Sequence, residues 1–104
     1  MRHVKKHFRQ RGWEVRDVSK QKPGYDLLCT RSRSTVHVEV KGISGSLRRF
    51  IITAAEKRQW MADKCFVLAL VTNARSANPT LDLYRGPESI QRFYFEALSF
   101  MASG

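Results

Sequence analysis

"PGYDLLCTRSRSTVHVEVKG", residues 23–42, sets an acid near each end of a segment that reads as a β-hairpin, with a lysine two positions after the second acid. Pro presets the first φ of a turn and Gly accepts the positive second one, so Pro23-Gly24 predicts a turn and a strand beginning at Tyr25. Tyr25 to Thr30 and Thr35 to Lys41 then flank the polar "RSRS" as two paired strands. A two-residue turn at Ser32 and Arg33, or a four-residue loop over 31–34, gives the same register: Asp26 lies directly across from Glu39. Alternation puts Tyr25, Leu27 and Cys29 on one face with Val36, Val38 and Val40. Asp26, Leu28 and Thr30 share the other with His37, Glu39 and Lys41. The first face reads as core and the second as chemistry. Opposed side chains on one face bring Cβ atoms to about 4.5–5.5 Å, where like charges destabilise a sheet. Something positive is therefore expected between the two acids. Lys41 is one candidate. The other is a divalent cation held by Asp26, Glu39 and the Val40 carbonyl, the hard-oxygen arrangement that suits Mg²⁺, with Mn²⁺ able to substitute.

Upstream of the hairpin, Val4 and Phe8 stand four apart among basic residues, which predicts a short amphipathic helix over 2–11 ending at Gly12. The loose alternation of "WEVRDVS" from Trp13 predicts a half-buried strand. Downstream, 49–52 reads as a short strand. Thr53-x-x-Glu56 then opens a helix to about Lys64 as a capping box, with Ala54, Ala55, Met61 and Ala62 on one face. Trp60 falls off that stripe and reads as core, interface or base-stacking residue. The unbroken apolar run "CFVLALV", 65–71, predicts a central strand covered on both faces. Leu81 and Leu83 alternate in a further strand. From Pro87 onward Ile90, Phe93, Tyr94, Ala97, Leu98 and Met101 recur at helical spacing, which predicts a C-terminal helix over 87–104. Phe95 and Phe100 lie off its stripe and are candidates for a homodimer contact.

A chain of 104 residues holds one ordinary domain, here 1–104 of α/β class. Its 19 Lys and Arg against 9 Asp and Glu give a formal charge of +10, which favours a polyanionic partner without separating nucleic acid from acidic lipid or protein. The basic residues are spread through the predicted elements, so a folded basic surface is expected. No apolar run approaches the length of a membrane span, and none follows the basic start as a secretory signal would. A cytoplasmic or nuclear protein that engages no membrane is the expectation. Cys29 and Cys65 lack a CxxC or histidines at zinc spacing and read as reduced core thiols. His3 and His7 read as part of an exposed basic helix.

"GYDLL" followed by "VEVKG" resembles the PD-(D/E)XK nuclease superfamily, whose motif is an Asp on one strand and Glu-x-Lys on the next. Within it, Gly24-Tyr25-Asp26, Glu39-Val40-Lys41-Gly42 and the later "IITAAE" look most like the domain at the C-terminus of the plant protein NO VEIN. They also resemble Mrr-type restriction endonucleases. The likeness covers residues 12 to about 72. Two features depart from the pattern: no acid precedes Glu14, and Tyr25 stands where a Pro is usual.

The resemblance implies a restriction-endonuclease-like αβββαβ core, with a mixed central sheet flanked by helices. It implies that Asp26 and Glu39 bind Mg²⁺ and that Lys41 positions the attacking water and neutralises charge as phosphorus becomes five-coordinate. The expected activity is metal-dependent hydrolysis of DNA in restriction, defence or repair. The competing expectation is a catalytically inactive module of the same fold that binds nucleic acid or a partner protein. A third is a basic structural subunit docking through its C-terminal helix. Glu56 matches an acid of the related domain, although the capping box already explains it. Gln59 and His37 are accessory candidates, each also ordinary as a polar surface residue. Arg31, Arg33, Arg48, Arg49, Lys57 and Arg58 are candidate phosphate contacts, or charges that serve solubility alone.

Overall fold

In the computed structural model, which describes residues 1–21 and 23–95, the chain opens with helix α1, Arg2–Gln10. Its two apolar residues, Val4 and Phe8, are buried. The helix stops because Gly12 takes a φ of 84°, which lets Trp13 N–H donate to Phe8 O and Gly12 N–H to Arg9 O. That is a Schellman closure, and the expected apolar contact accompanies it: Trp13 meets Phe8 edge-on at 6.0 Å. One glycine thus ends the helix and aims the chain into the sheet.

Strands β1 (Glu14–Asp17), β2 (Leu27–Arg31) and β3 (Ser34–Gly42) form an antiparallel meander. Helix α2 (Ala54–Ala62) crosses over to β4 (Phe66–Thr72), which lies parallel to β3, and β5 (Thr80–Arg85) closes the sheet antiparallel to β4. The five strands stand in sequence order. This is the expected mixed sheet flanked by helices, with αβββαβ followed by β5. No helix among the described residues is long and apolar enough to cross a membrane.

All seven residues of β4 are buried because each face of the sheet has its own core. Val67, Ala69 and Val71 pack with Val4, Phe8, Leu27, Cys29 and Val38 under α1. Phe66, Leu68 and Leu70 pack with Trp60 and Tyr84 on the α2 side.

From Leu27 opposite Val38 to Arg31 opposite Ser34, across a two-residue turn, the hairpin register is the one read from the sequence, but the expected pair of Asp26 opposite Glu39 lies beyond the end of β2 and does not form. Four other details differ. Strand β2 begins at Leu27, not Tyr25, and the Tyr25 ring stacks on His37 at 4.2 Å, away from the face of Leu27 and Cys29. The 49–52 segment is no strand; Phe50 and Ile52 pack into the Trp60 core instead of joining a ladder. On α2 the buried residue is Trp60, whereas Met61 is more than half exposed and the alanines face solvent. Trp60 reaches the core because Phe66 stacks on it and Ser89 Oγ accepts its indole N–H at 3.0 Å. Finally, the helix expected over 87–104 is a 3₁₀ helix over Pro87–Arg92, after which Phe93 is extended. Residues 96–104 of that expectation, Phe100 among them, lie outside the described residues.

Candidate active site

β3 outruns its neighbour. Pairing with β2 ends at Leu27 and Val38, while β3 continues to Gly42 beside β4. Asp26 makes the last main-chain link, donating its N–H to Val38 O at 2.9 Å, and its side chain then occupies the open edge. There Oδ2 accepts the Val40 N–H at 2.9 Å. Within a strand the N–H and C=O of one residue point to the same side, so the Val40 carbonyl also faces this edge. The turn that delivers Asp26 depends on Gly24, whose φ is 103° and where a Cβ would come within 2.9 Å of Gln59 Oε1.

Glu39 and Lys41 rise from β3 on the α2 face, opposite Leu68 and Leu70 of β4. Lys41 Nζ donates to both oxygens of Glu56, at 3.1 and 3.0 Å, and lies 3.6 Å from Glu39 Oε2. Glu56 is brought here by its own helix. Thr53 Oγ1 accepts the Glu56 N–H, and Glu56 Oε1 accepts the Thr53 N–H, which completes the predicted capping box. The cap and the contact to Lys41 are therefore two uses of one carboxylate, a combination the sequence reading treated as alternatives.

The cluster holds three carboxylates and one ammonium. Burial pushes the Glu39 pKa up to about 8, aided by its hydrogen bond with Glu56 and by the charges of Asp26 and Glu56, with Lys41 pulling the other way. For Glu56 burial also raises the pKa. The Thr53 N–H and the hydrogen bonds with Glu39 and Lys41 outweigh it, and the net value falls to about 2. At neutral pH the proton thus sits on Glu39, between it and an ionised Glu56. The donors here are the hard oxygens that a divalent cation takes, and Asp26 Oδ1 accepts no hydrogen bond from the described residues. Asp26, Glu39 and the Val40 carbonyl are the groups that would hold it.

The accessory candidates go elsewhere. His37 Nδ1 lies 2.7 Å from Asp63 Oδ2, and Gln59 Nε2 donates to that same oxygen at 2.9 Å. The candidate phosphate contacts divide into two sets. Arg31 sits over the Trp13 ring and donates to Arg11 O, and with Arg33 it belongs to the hairpin tip. Seven strand residues separate that tip from Lys41, roughly 20 Å. The second set is nearer, in the 43–53 loop and on α2. Arg48 donates to Tyr84 Oη and pairs with Asp82, Lys57 lies over the Phe95 ring, and Arg58 is exposed. Arg48, Arg49, Thr53, Ala54 and Lys57 also line a groove of about 530 Å³ with Phe93 and Tyr94. The groove adjoins the first turn of α2 but is not lined by Asp26, Glu39 or Lys41.

The chain is thus an α/β protein with a mixed sheet, a capped crossover helix and an acid cluster beside the carboxyl end of its parallel strand pair. The family model described as "Protein NO VEIN, C-terminal" matches residues 1–84. The chain belongs to that family. No curated protein and no solved structure matches it.

Proposed function

We propose that the chain is a metal-dependent endonuclease that hydrolyses DNA phosphodiester bonds, in the manner of the PD-(D/E)XK nucleases. The observation that carries this reading is the convergence of Asp26, Glu39 and Lys41 where β3 runs past the end of β2. Asp26 and Glu39, with the Val40 carbonyl, would hold Mg²⁺. Bound there, the ion supplies Lewis acidity that activates water and offsets phosphate charge. Lys41 Nζ, oriented by Glu56, donates a hydrogen bond that positions the water and stabilises the charge gathering on the phosphoryl oxygens. Glu56 fixes the ammonium, and the capping box in turn fixes Glu56. The charge of +10 supports retention of a polyanionic backbone, and Lys57 and the exposed Arg58 of α2 are candidates to contact it.

The alternative, a catalytically inactive module that binds nucleic acid or a partner protein, is favoured by one observation: the Lys41 ammonium is already engaged at two points by Glu56. Cleavage separates the two. With Mg²⁺ or Mn²⁺, wild type is expected to nick plasmid DNA, and Lys41→Ala and Glu39→Gln to lose about 10²-fold or more. DNA binding by wild type without any cutting assigns the chain to the alternative.

A further inference from the structure

His37, Asp63 and Cys65 bring one ligand atom each to within 4.8 Å of one another, the only such trio of His, Cys, Asp or Glu among the described residues. They come from three elements. His37 projects from β3 and pairs across to Phe66 on β4; Asp63 caps the C-terminus of α2; Cys65 immediately precedes β4. The grouping is braced on every side. Tyr25 stacks flat on the imidazole at an interplanar angle of 5°. Gln59 Nε2 donates to Asp63 Oδ2, and the Cys65 N–H donates to Asp63 Oδ1 at 2.9 Å. All three side chains are part-exposed, so an ion has a path to them.

We propose that this trio is a binding site for a zinc-class cation, separate from the oxygen-only cluster at Asp26 and Glu39. The donor chemistry decides the metal. One imidazole nitrogen, one thiolate sulfur and one carboxylate oxygen suit Zn²⁺ and its spectroscopic substitute Co²⁺, whereas Mg²⁺ has no use for sulfur or nitrogen here. The spacing is close to what a tetrahedral ion needs. Metal–ligand bonds of about 2.0–2.3 Å place ligand atoms roughly 3.3–3.6 Å apart, within the 4.8 Å that bounds the trio, and the His37–Asp63 contact of 2.7 Å opens to admit the ion. Three protein ligands leave the fourth position to water. Binding requires the Cys65 thiol to release its proton to solvent, so affinity weakens as pH falls. Gln59 and Tyr25 act as the outer support that fixes ligand orientation.

Titration of the full chain with Co²⁺ alone, followed by absorption, tests the site. Wild type is expected to take up one equivalent with a thiolate-to-cobalt band that Zn²⁺ abolishes by displacement. Cys65→Ser, a one-atom change, is expected to lose the band, and His37→Asn to weaken binding tenfold or more. Asp26→Asn is expected to retain both band and affinity. A wild type without the band, or a Cys65→Ser protein that keeps it through Cys29, overturns the proposal. Because none of the three side chains enters the proposed hydrolysis, either result leaves that reading untouched.

Discussion

Glu39 is the most constrained residue of the candidate site. It is 6 % exposed, faces two other carboxylates, and has one lysine at 3.6 Å. Its carboxyl therefore holds a proton that the unfolded chain has released. With the folded pKa near 8 and the ordinary value at 4.5, the folded state binds more protons than the unfolded state between those limits. Stability from this residue is thus full below pH 4.5, declines as pH rises and is lost above about 8. Urea unfolding in the presence of a chelator is expected to show wild type weakening from pH 5 to 8. Glu39→Gln keeps the neutral form at every pH and is expected to flatten that slope. Equal slopes for the two proteins would mean that Glu39 is ionised in the fold. The sequence identified Glu39 and its lysine because the two-residue period of a strand fixes the face of each side chain. It could not reveal that Glu56 serves both: the capping box is local, whereas the contact to Lys41 depends on how α2 lies over β3.

At the scale of elements, α2 is anchored by Trp60, completely buried against Phe66, Phe93 and the 3₁₀ helix. Trp60→Ala is expected to destabilise the protein by about 3–5 kcal/mol, measured by denaturant unfolding. A cost below about 1 kcal/mol would mean the helix is held by other contacts. The sequence left this anchor open between core, interface and base stacking because the Ala and Met residues satisfy a helical period, and a helix this short can bury one large side chain in place of a stripe. The hairpin and β4 were legible for the opposite reason: alternation in the first and an unbroken apolar run in the second each admit one placement. The His37, Asp63 and Cys65 grouping left no trace in spacing. The crossover through α2 brings His37 to an aspartate 26 positions away, which no local pattern records. The same limit applied to Tyr25, whose stacking on His37 depends on a turn that swings it off the strand.

Across the whole molecule, the six candidate phosphate contacts fall at two distant places, the hairpin tip and the surface around α2. If the acid cluster cuts DNA, the second set is the one that shares α2 and its entry loop with Glu56. Lys57→Ala and Arg58→Ala together are expected to weaken DNA binding and to reduce its salt dependence by about two phosphate contacts, while Arg33→Ala changes cleavage little. Measurement of binding across a salt series checks this, and a larger loss from Arg33→Ala would move the DNA path to the hairpin tip. Every part of this picture presupposes that the edge left open by β2 gathers ligands around one ion. Calorimetric titration of Mg²⁺ into the full chain tests that most directly. One site is expected in wild type, with affinity reduced tenfold or more in Asp26→Asn. Absence of binding by wild type, or an unchanged affinity in Asp26→Asn, would contradict it.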